Sequence, residues 1–339
     1  MPDTAQPSPS APGKTRPRVI VTRRMLPQTE ARMAELFDTV FNSTDTPMSE
    51  AELAAAMRDC DVLVPTITDR IGAEIIAQAG DRLGLIANFG AGIEHIDLAA
   101  ARARRIIVTN TAGALTDDTA DMVMALIISV ARRLVPAIHL LESGQWKGWA
   151  PSTLLGHRIG GKRLALLGMG RIGQAVAHRA RAFGLETVYH NRARLPGAIE
   201  TMLAARFEPD LDRMVAEADI LSLHCPATPE THGIISAARI ALMKPGACII
   251  NTARGELIDE QALVAALEAG RLAGAGLDVF SHEPAVDPRL LAHPGVVALP
   301  HVGSATFEGR EEMGQKVIAN IRFWADGHRP PDQVLEGWA

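Results

Sequence analysis

Three side chains in the second half of the chain have chemistry suited to reducing a 2-keto acid, and each stands just after a short apolar run. Arg254 follows Ile249-Ile250-Asn251, Glu283 follows Leu277-Asp278-Val279-Phe280, and His301 follows Val297-Ala298-Leu299-Pro300. Hydride arriving at a carbonyl carbon leaves negative charge on oxygen, which needs a proton. Histidine is the natural donor near neutral pH, and a carboxylate neighbour such as Glu283 favours its protonated form. The planar fork of an arginine pairs with a substrate carboxylate and polarises the carbonyl. Taken singly, an Arg after a strand is usually a surface ion-pair partner, and a His a packed or solvated one. The shared setting strengthens the trio, because ligands of open α/β sheets lie outside the carboxyl ends of the strands.

A second constellation supplies a place for the hydride donor. The apolar run Leu164-Ala165-Leu166-Leu167 leads into Gly168-Met169-Gly170-Arg171-Ile172-Gly173, and a helical pattern follows as far as Phe183-Gly184. GxGxxG alone is weak, but strand before and helix after is the context a dinucleotide requires. Gly168 permits the tight turn, Gly170 lets backbone approach a pyrophosphate, and Gly173 lets the helix pack on the strand. About 20 residues on, NAD sites carry an acid for the ribose 2′-hydroxyl. The chain instead reads Tyr189-His190-Asn191-Arg192-Ala193-Arg194. Arg192 and Arg194 suit a 2′-phosphate, so the expected cofactor is NADP (as NADPH), with NAD as the alternative if both arginines are simply solvated.

The elements that must position these groups alternate. Strands are expected at 18–21, 40–42, 62–65, 85–88 and 107–110, with helices at 30–37, 49–58, 73–79 and 98–104. Ser49 followed by Glu52 has the form of a capping box. One long apolar helix is expected over 114–134, with Asp117, Asp118 and Asp121 at its positive end; a solvated helix start is preferred there to a metal site. A second series has strands at 164–167, 187–190, 220–223, 248–251, 276–279 and 296–299, and a last helix at 308–324. Two such series imply two α/β units, each a doubly wound parallel sheet.

Composition sets the outer bounds. With 339 residues, 47% hydrophobic, the chain fits about two domains. A net charge of −5 gives no general footprint for nucleic acid or an anionic membrane, and no apolar run approaches the roughly 18 residues of a membrane span. Cys60, Cys225 and Cys248 share no metal-ligand spacing, so no metal is expected, and a reducing cytoplasm suits them. Residues 1–17, rich in Pro and Ser without an apolar core, read as a flexible tail and not a secretory signal. His224 beside Cys225 is no proof of a nucleophile; Trp146 and Trp149 line a pocket or cover an edge; His157 and Arg158 carry no assigned role.

From about Arg18 to Leu335 the chain resembles the D-isomer-specific 2-hydroxyacid dehydrogenase family. The resemblance rests on Asn88-Phe89-Gly90-Ala91-Gly92-Ile93-Glu94-His95-Ile96-Asp97, the glycine fingerprint, His224-Cys225-Pro226 with Thr228 and Thr231, Asn251 to Gly255, Gly276 to Phe280 with Glu283-Pro284, and Pro300 to Gly303. Within the family, Thr119-Ala120-Asp121, the run to Arg192 and Gly327-His328-Arg329-Pro330-Pro331 look most like glyoxylate and hydroxypyruvate reductases. The resemblance implies a flavodoxin-like substrate-binding domain (18–111 and 305–339), a Rossmann NAD(P)-binding domain (112–304) and a cleft between them. It implies Arg254, Glu283 and His301 as the catalytic trio, and substrate carboxylate binding at Ala91, Gly92 and Arg254. Ala91 stands where the family usually has Val. Cofactor contacts are implied at Thr119, Arg171, Ile172, Asn191, Arg192, Cys225, Pro226, Thr231, Thr252, Ala253, Asp278 and Gly303, and the assembly as a homodimer. The partner so expected is a small 2-keto or 2-hydroxy acid, reduced with NADPH. Alternatives are an NAD-linked dehydrogenase of phosphoglycerate or a bulkier keto acid, separable by cofactor titration, and a non-catalytic dinucleotide-sensing regulator, which would have no need of the trio.

Overall fold

The computed structural model describes residues 16–335, which divide into two compact units: 16–115 with 306–335, and Thr116–Ala305. Of the expected N-terminal tail, all but Arg16 and Pro17 lies outside the described residues; the Pro17 carbonyl accepts the Asp38 N–H.

The first unit holds β1 (Arg18–Val21), β2 (Asp38–Phe41), β3 (Val62–Val64), β4 (Leu85–Ala87) and β5 (Ile107–Thr109). All pair in parallel, in the order β2-β1-β3-β4-β5. Side chains alternate between two buried faces, as a parallel sheet covered on both sides requires. Val19, Val21, Val62, Val64 and Leu85 share one apolar cluster; Ile20, Leu63, Ile86 and Val108 share the other. The helix Phe307–Ala325 buries Val317 and Ile321 in the first of these clusters, which ties the end of the chain to this unit. Ser49 and Glu52 form the full capping box ahead of the helix Glu50–Asp59.

The second unit holds β6 (Arg163–Leu167), β7 (Glu186–His190), β8 (Ala205–Phe207), β9 (Ile220–Leu223), β10 (Ala247–Asn251), β11 (Leu272–Leu277) and β12 (Val296–Ala298). They form a parallel sheet in the order β12-β11-β10-β9-β6-β7-β8. The order reverses between β6 and β9, which is where such sheets bind ligands. Each unit is thus a doubly wound α/β sheet, the second of Rossmann type.

Three elements depart from the sequence reading. The helix expected over 114–134 is Thr116–Ala131, and a second helix that the sequence reading did not mark, Leu134–Glu142, follows it at a bend of 67°. Pro136 explains the break, since in a continuous helix its ring would clash with the Arg132 carbonyl; Arg133 turns the chain at φ 53°. No single helix among the described residues is long and apolar enough to cross a membrane. β11 begins four residues earlier than expected, in the run LAGAGL. Its small residues let neighbours close in: a Cβ on Gly276 would lie 2.9 Å from Leu126 Cβ, on the helix Thr116–Ala131. The edge strand β8 is three residues long and too short to show an apolar period.

Candidate active site

Arg254, Glu283 and His301 all belong to the second unit, on the loops that leave β10, β11 and β12. Asn251, fully buried at the end of β10, shapes the first loop: its Nδ2 donates to the Arg254 carbonyl (2.8 Å) and its Oδ1 accepts the Ala253 N–H (3.0 Å). Gly255 brings that loop against the next. A Cβ there would lie 2.0 Å from the Phe280 carbonyl carbon, so only glycine permits this approach.

His301 Nδ1 donates to Glu283 Oε2 at 2.8 Å, and Glu283 Oε1 accepts the Phe280 N–H at 3.0 Å. Both side chains are about one-third exposed. Burial pushes the Glu283 carboxyl up, but the His301 bond, the Phe280 N–H and the charge of Arg254 together hold it below its ordinary value. Glu283 is therefore a carboxylate at neutral pH. His301 Nε2 has no hydrogen-bond partner among the described residues.

His301 has a left-handed backbone, φ 55°, rare for a residue other than glycine and disfavoured by about 1 kcal/mol. Asp278 holds that turn. Its carbonyl accepts the His301 N–H (2.9 Å), and its buried carboxylate accepts the N–H groups of Val302 (2.8 Å) and Gly303 (2.7 Å). Burial raises the Asp278 carboxyl above its usual range despite those two bonds. Sequence resemblance assigns Asp278 and Gly303 to the cofactor; in the structure each Asp278 carboxylate oxygen also takes one N–H of the loop that carries His301.

The fingerprint glycines follow β6. Gly168 has φ 100°, and a Cβ on it would lie 2.6 Å from the His224 carbonyl carbon. On Gly173 a Cβ would meet the Gly168 oxygen at 2.2 Å, so the helix packs directly on the turn. Gly170 differs: no atom lies within 4 Å of its Cβ position, and the helix Arg171–Ala182 that it precedes has no side-chain cap. Open space before bare helix N–H groups is what a pyrophosphate needs. Thr252 Oγ1, buried with no partner among the described residues, is a further unsatisfied group. These residues fit a nicotinamide dinucleotide.

The other assigned residues are mostly occupied with shaping the loops. Asn191 Oδ1 accepts the Met169 N–H (2.7 Å), which ties the loop after β7 to the fingerprint. Thr231 Oγ1 donates to the Pro226 carbonyl (2.7 Å) and accepts the Thr228 N–H (2.8 Å). Burial pushes the Cys225 thiol up to about 11, so it is not a thiolate at neutral pH. Thr119 is buried in the helix Thr116–Ala131, while Arg171 and Ile172 open the helix after the fingerprint. Asp117 and Asp121 are largely exposed, in keeping with the expected solvated helix start, and both also pair with Arg179. Arg192 is exposed. Arg194, expected as a phosphate clamp, has its guanidinium on Glu200 in a two-point pair at 3.0 and 2.7 Å.

Ala91 and Gly92 lie in the first unit, after β4. There Asn88, fully buried, donates Nδ2 to the carbonyls of Gly90 (3.0 Å) and Gly92 (2.8 Å), and Asn110 Nδ2 takes that of Ala91 (2.9 Å). With the carbonyls bound, the Ala91 and Gly92 N–H groups have no partner among the described residues. Sequence reasoning named Asn88 and Asn251 only as the start of two motifs, and missed their supporting role and that of Asn110. The available signal was an Asn immediately after an apolar strand.

Comparisons with known proteins agree with this geometry. A family model described as D-isomer specific 2-hydroxyacid dehydrogenase, NAD binding domain, matches residues 124–303. Glyoxylate reductase of Thermococcus litoralis is 41% identical over 324 residues, 94% of this chain and 97% of that protein. Glyoxylate reductase of Aeropyrum pernix is 41% identical over 326 residues, 94% of this chain and 96% of that one. An NADPH-dependent glyoxylate/hydroxypyruvate reductase of Sinorhizobium meliloti, solved with NADP and malonate, superposes with a TM-score of 0.84 at 35% identity, covering 95% of this chain and 97% of that one. The chain belongs to the D-isomer specific 2-hydroxyacid dehydrogenase family: it is an NAD(P)-dependent oxidoreductase, and a reductase of 2-keto acids.

Proposed function

We propose that the enzyme reduces small 2-keto acids, glyoxylate and hydroxypyruvate first, prefers NADPH, and uses His301 as its proton donor. The observation that carries this reading is the His301–Glu283 bond, which occupies Nδ1 with a carboxylate and leaves Nε2 to donate. A bound nicotinamide supplies the hydride. The chain's own residues hold the keto acid and deliver the proton to the carbonyl oxygen. Arg254 pairs with the substrate carboxylate and polarises the carbonyl. Glu283 stabilises the imidazolium and orients its ring, and Asp278 fixes the backbone from which it projects. A carboxylate is also the ligand we assign to the N–H groups of Ala91 and Gly92.

NADPH is favoured by the exposed Arg192 and by the lack of a carboxylate in 190–194. A second reading, NADH with another keto acid, draws support from one observation: Arg194 is already paired with Glu200. Initial rates for both reduced cofactors against glyoxylate, hydroxypyruvate and pyruvate test the proposal. It expects the highest kcat/KM with NADPH and glyoxylate or hydroxypyruvate; equal or better use of NADH overturns the preference.

We also propose that the protein is a homodimer. The helix Leu134–Glu142 is largely apolar yet buries none of its residues, and Trp149 beyond it is 85% exposed. A second copy of the chain is the assigned cover. Light scattering at the monomer mass, 36.2 kDa, would refute it.

A further inference from the structure

The loop between β7 and β8 carries an arrangement that the proposed reaction does not use. Tyr189, the single tyrosine of the chain, is buried at the end of β7. Its hydroxyl donates to Glu200 Oε1 (2.8 Å) and accepts the Leu195 N–H (2.8 Å). Arg194 donates Nε to Glu200 Oε1 (3.0 Å) and a terminal nitrogen to Oε2 (2.7 Å). Glu200 is 9% exposed, and these bonds hold its carboxyl below the ordinary range although burial opposes them. One carboxylate therefore closes residues 189–200 into a ring, with both of its oxygens taken.

Pulling Arg194 away would leave a buried carboxylate without its counter-charge, a costly state. That carboxylate would also repel an incoming phosphate. The Arg194–Glu200 pair is neutral as a unit and offers an anion no net attraction. Arg192 and Arg194 are both exposed, but Arg192 is not in a pair of this kind among the described residues; its charge reaches Glu230, which is hydrogen-bonded to Thr228 on the loop after β9. We propose that Arg192 alone reads the cofactor's 2′-phosphate, and that Glu200, through Tyr189 and Arg194, is a positioning residue that holds Arg192's loop in place. This rests on the NADPH reading above and deepens it.

Isothermal titration of the full-length protein with 2′,5′-ADP and with 5′-AMP tests it without turnover. Wild type should prefer 2′,5′-ADP by about tenfold or more, the worth of one charge-assisted contact. Arg192→Gln should bring the ratio close to one. The double variant Arg194→Gln with Glu200→Gln keeps a hydrogen-bonded neutral pair and should hold the ratio within about threefold of wild type. Tyr189→Phe, which removes the hydroxyl bridging Leu195 and Glu200, should lower the ratio about threefold at nearly unchanged 5′-AMP affinity. If the double variant melts early, Arg194→Met with Glu200→Leu, which removes both charges and leaves an apolar pair, takes its place with the same expectation.

A double variant that loses the preference as fully as Arg192→Gln makes Arg194 a phosphate ligand and overturns the assignment. An unchanged ratio in Tyr189→Phe overturns the positioning role. A wild-type ratio near one removes the NADPH reading itself, and Arg192's role with it.

Discussion

Two histidines of the second unit stand just past the carboxyl ends of their strands, and they have opposite fates. His224 follows β9, and its Nε2 shares a 2.9 Å hydrogen bond with the Ser222 hydroxyl. Burial, with no charge to offset it, pushes its imidazole down to about 4, so His224 is neutral at physiological pH. His301 follows β12, with a carboxylate at Nδ1 and one-third of its side chain exposed. A hydroxyl partner stabilises neither protonation state, whereas a carboxylate partner stabilises the imidazolium. Position at a strand end does not separate the two histidines; the group bonded to the ring does.

His301→Ala should lower kcat by about a thousandfold, within the usual worth of general acid catalysis, while the dissociation constant for NADPH stays within about twofold. Near-wild-type turnover would mean that the proton comes from elsewhere.

Next in size is Glu283→Gln, which keeps a hydrogen-bond acceptor but removes the charge, and should lower kcat about tenfold. It also has a pH signature. Because the folded-state value of Glu283 is lowered, its contribution to stability is complete above the ordinary carboxylate range and is lost as pH falls through the lowered value. Wild type should therefore melt above the variant at neutral pH, and the gap should close in acid. A gap that widens in acid would show the sign to be wrong.

Asp278→Asn acts on His301 through the backbone. His224 lies outside the left-handed region, but His301 is held in it by Asp278. The amide would turn a donor toward one of two buried N–H groups, which costs about 1–3 kcal/mol of stability. We expect kcat to fall severalfold as the His301 turn relaxes, with NADPH affinity nearly unchanged. Wild-type kcat in a clearly destabilised variant would show that the turn does not set the donor's position.

The two α/β series, the fingerprint and the three polar strand ends were legible in the sequence because each is local: an apolar run, a turn, then a chemically distinctive residue. The capping box at Ser49 and Glu52 is of the same kind. What escaped depends on partners that the local pattern does not reveal. Nothing in Tyr189-His190-Asn191-Arg192-Ala193-Arg194 shows that the second arginine faces Glu200, because that depends on how the next helix folds back. The LAGAGL strand carries no β-branched residue, and its signal is the packing of the helix Thr116–Ala131 against it. Asn88 and Asn251 matter for carbonyls they bind within a few residues and Asn110 for the Ala91 carbonyl on a different loop, and composition does not distinguish them from solvated asparagines.

The smallest effect is expected at the other histidine. His224→Gln retains an amide that can reach Ser222 Oγ, so the buried hydroxyl keeps a partner and stability changes by no more than about 1 kcal/mol. A ring neutral down to about pH 4 has no proton to give near neutrality, so kcat should stay within about twofold and the pH profile of kcat/KM should keep its shape. A modest rise in KM for NADPH is compatible with this, because the His224 backbone lies against Gly168 of the fingerprint and the neighbouring side chain is Cys225. A displaced pH limb would carry a different message. It would mean that His224 exchanges a proton during turnover despite its burial, and that the partner group does not separate the two histidines.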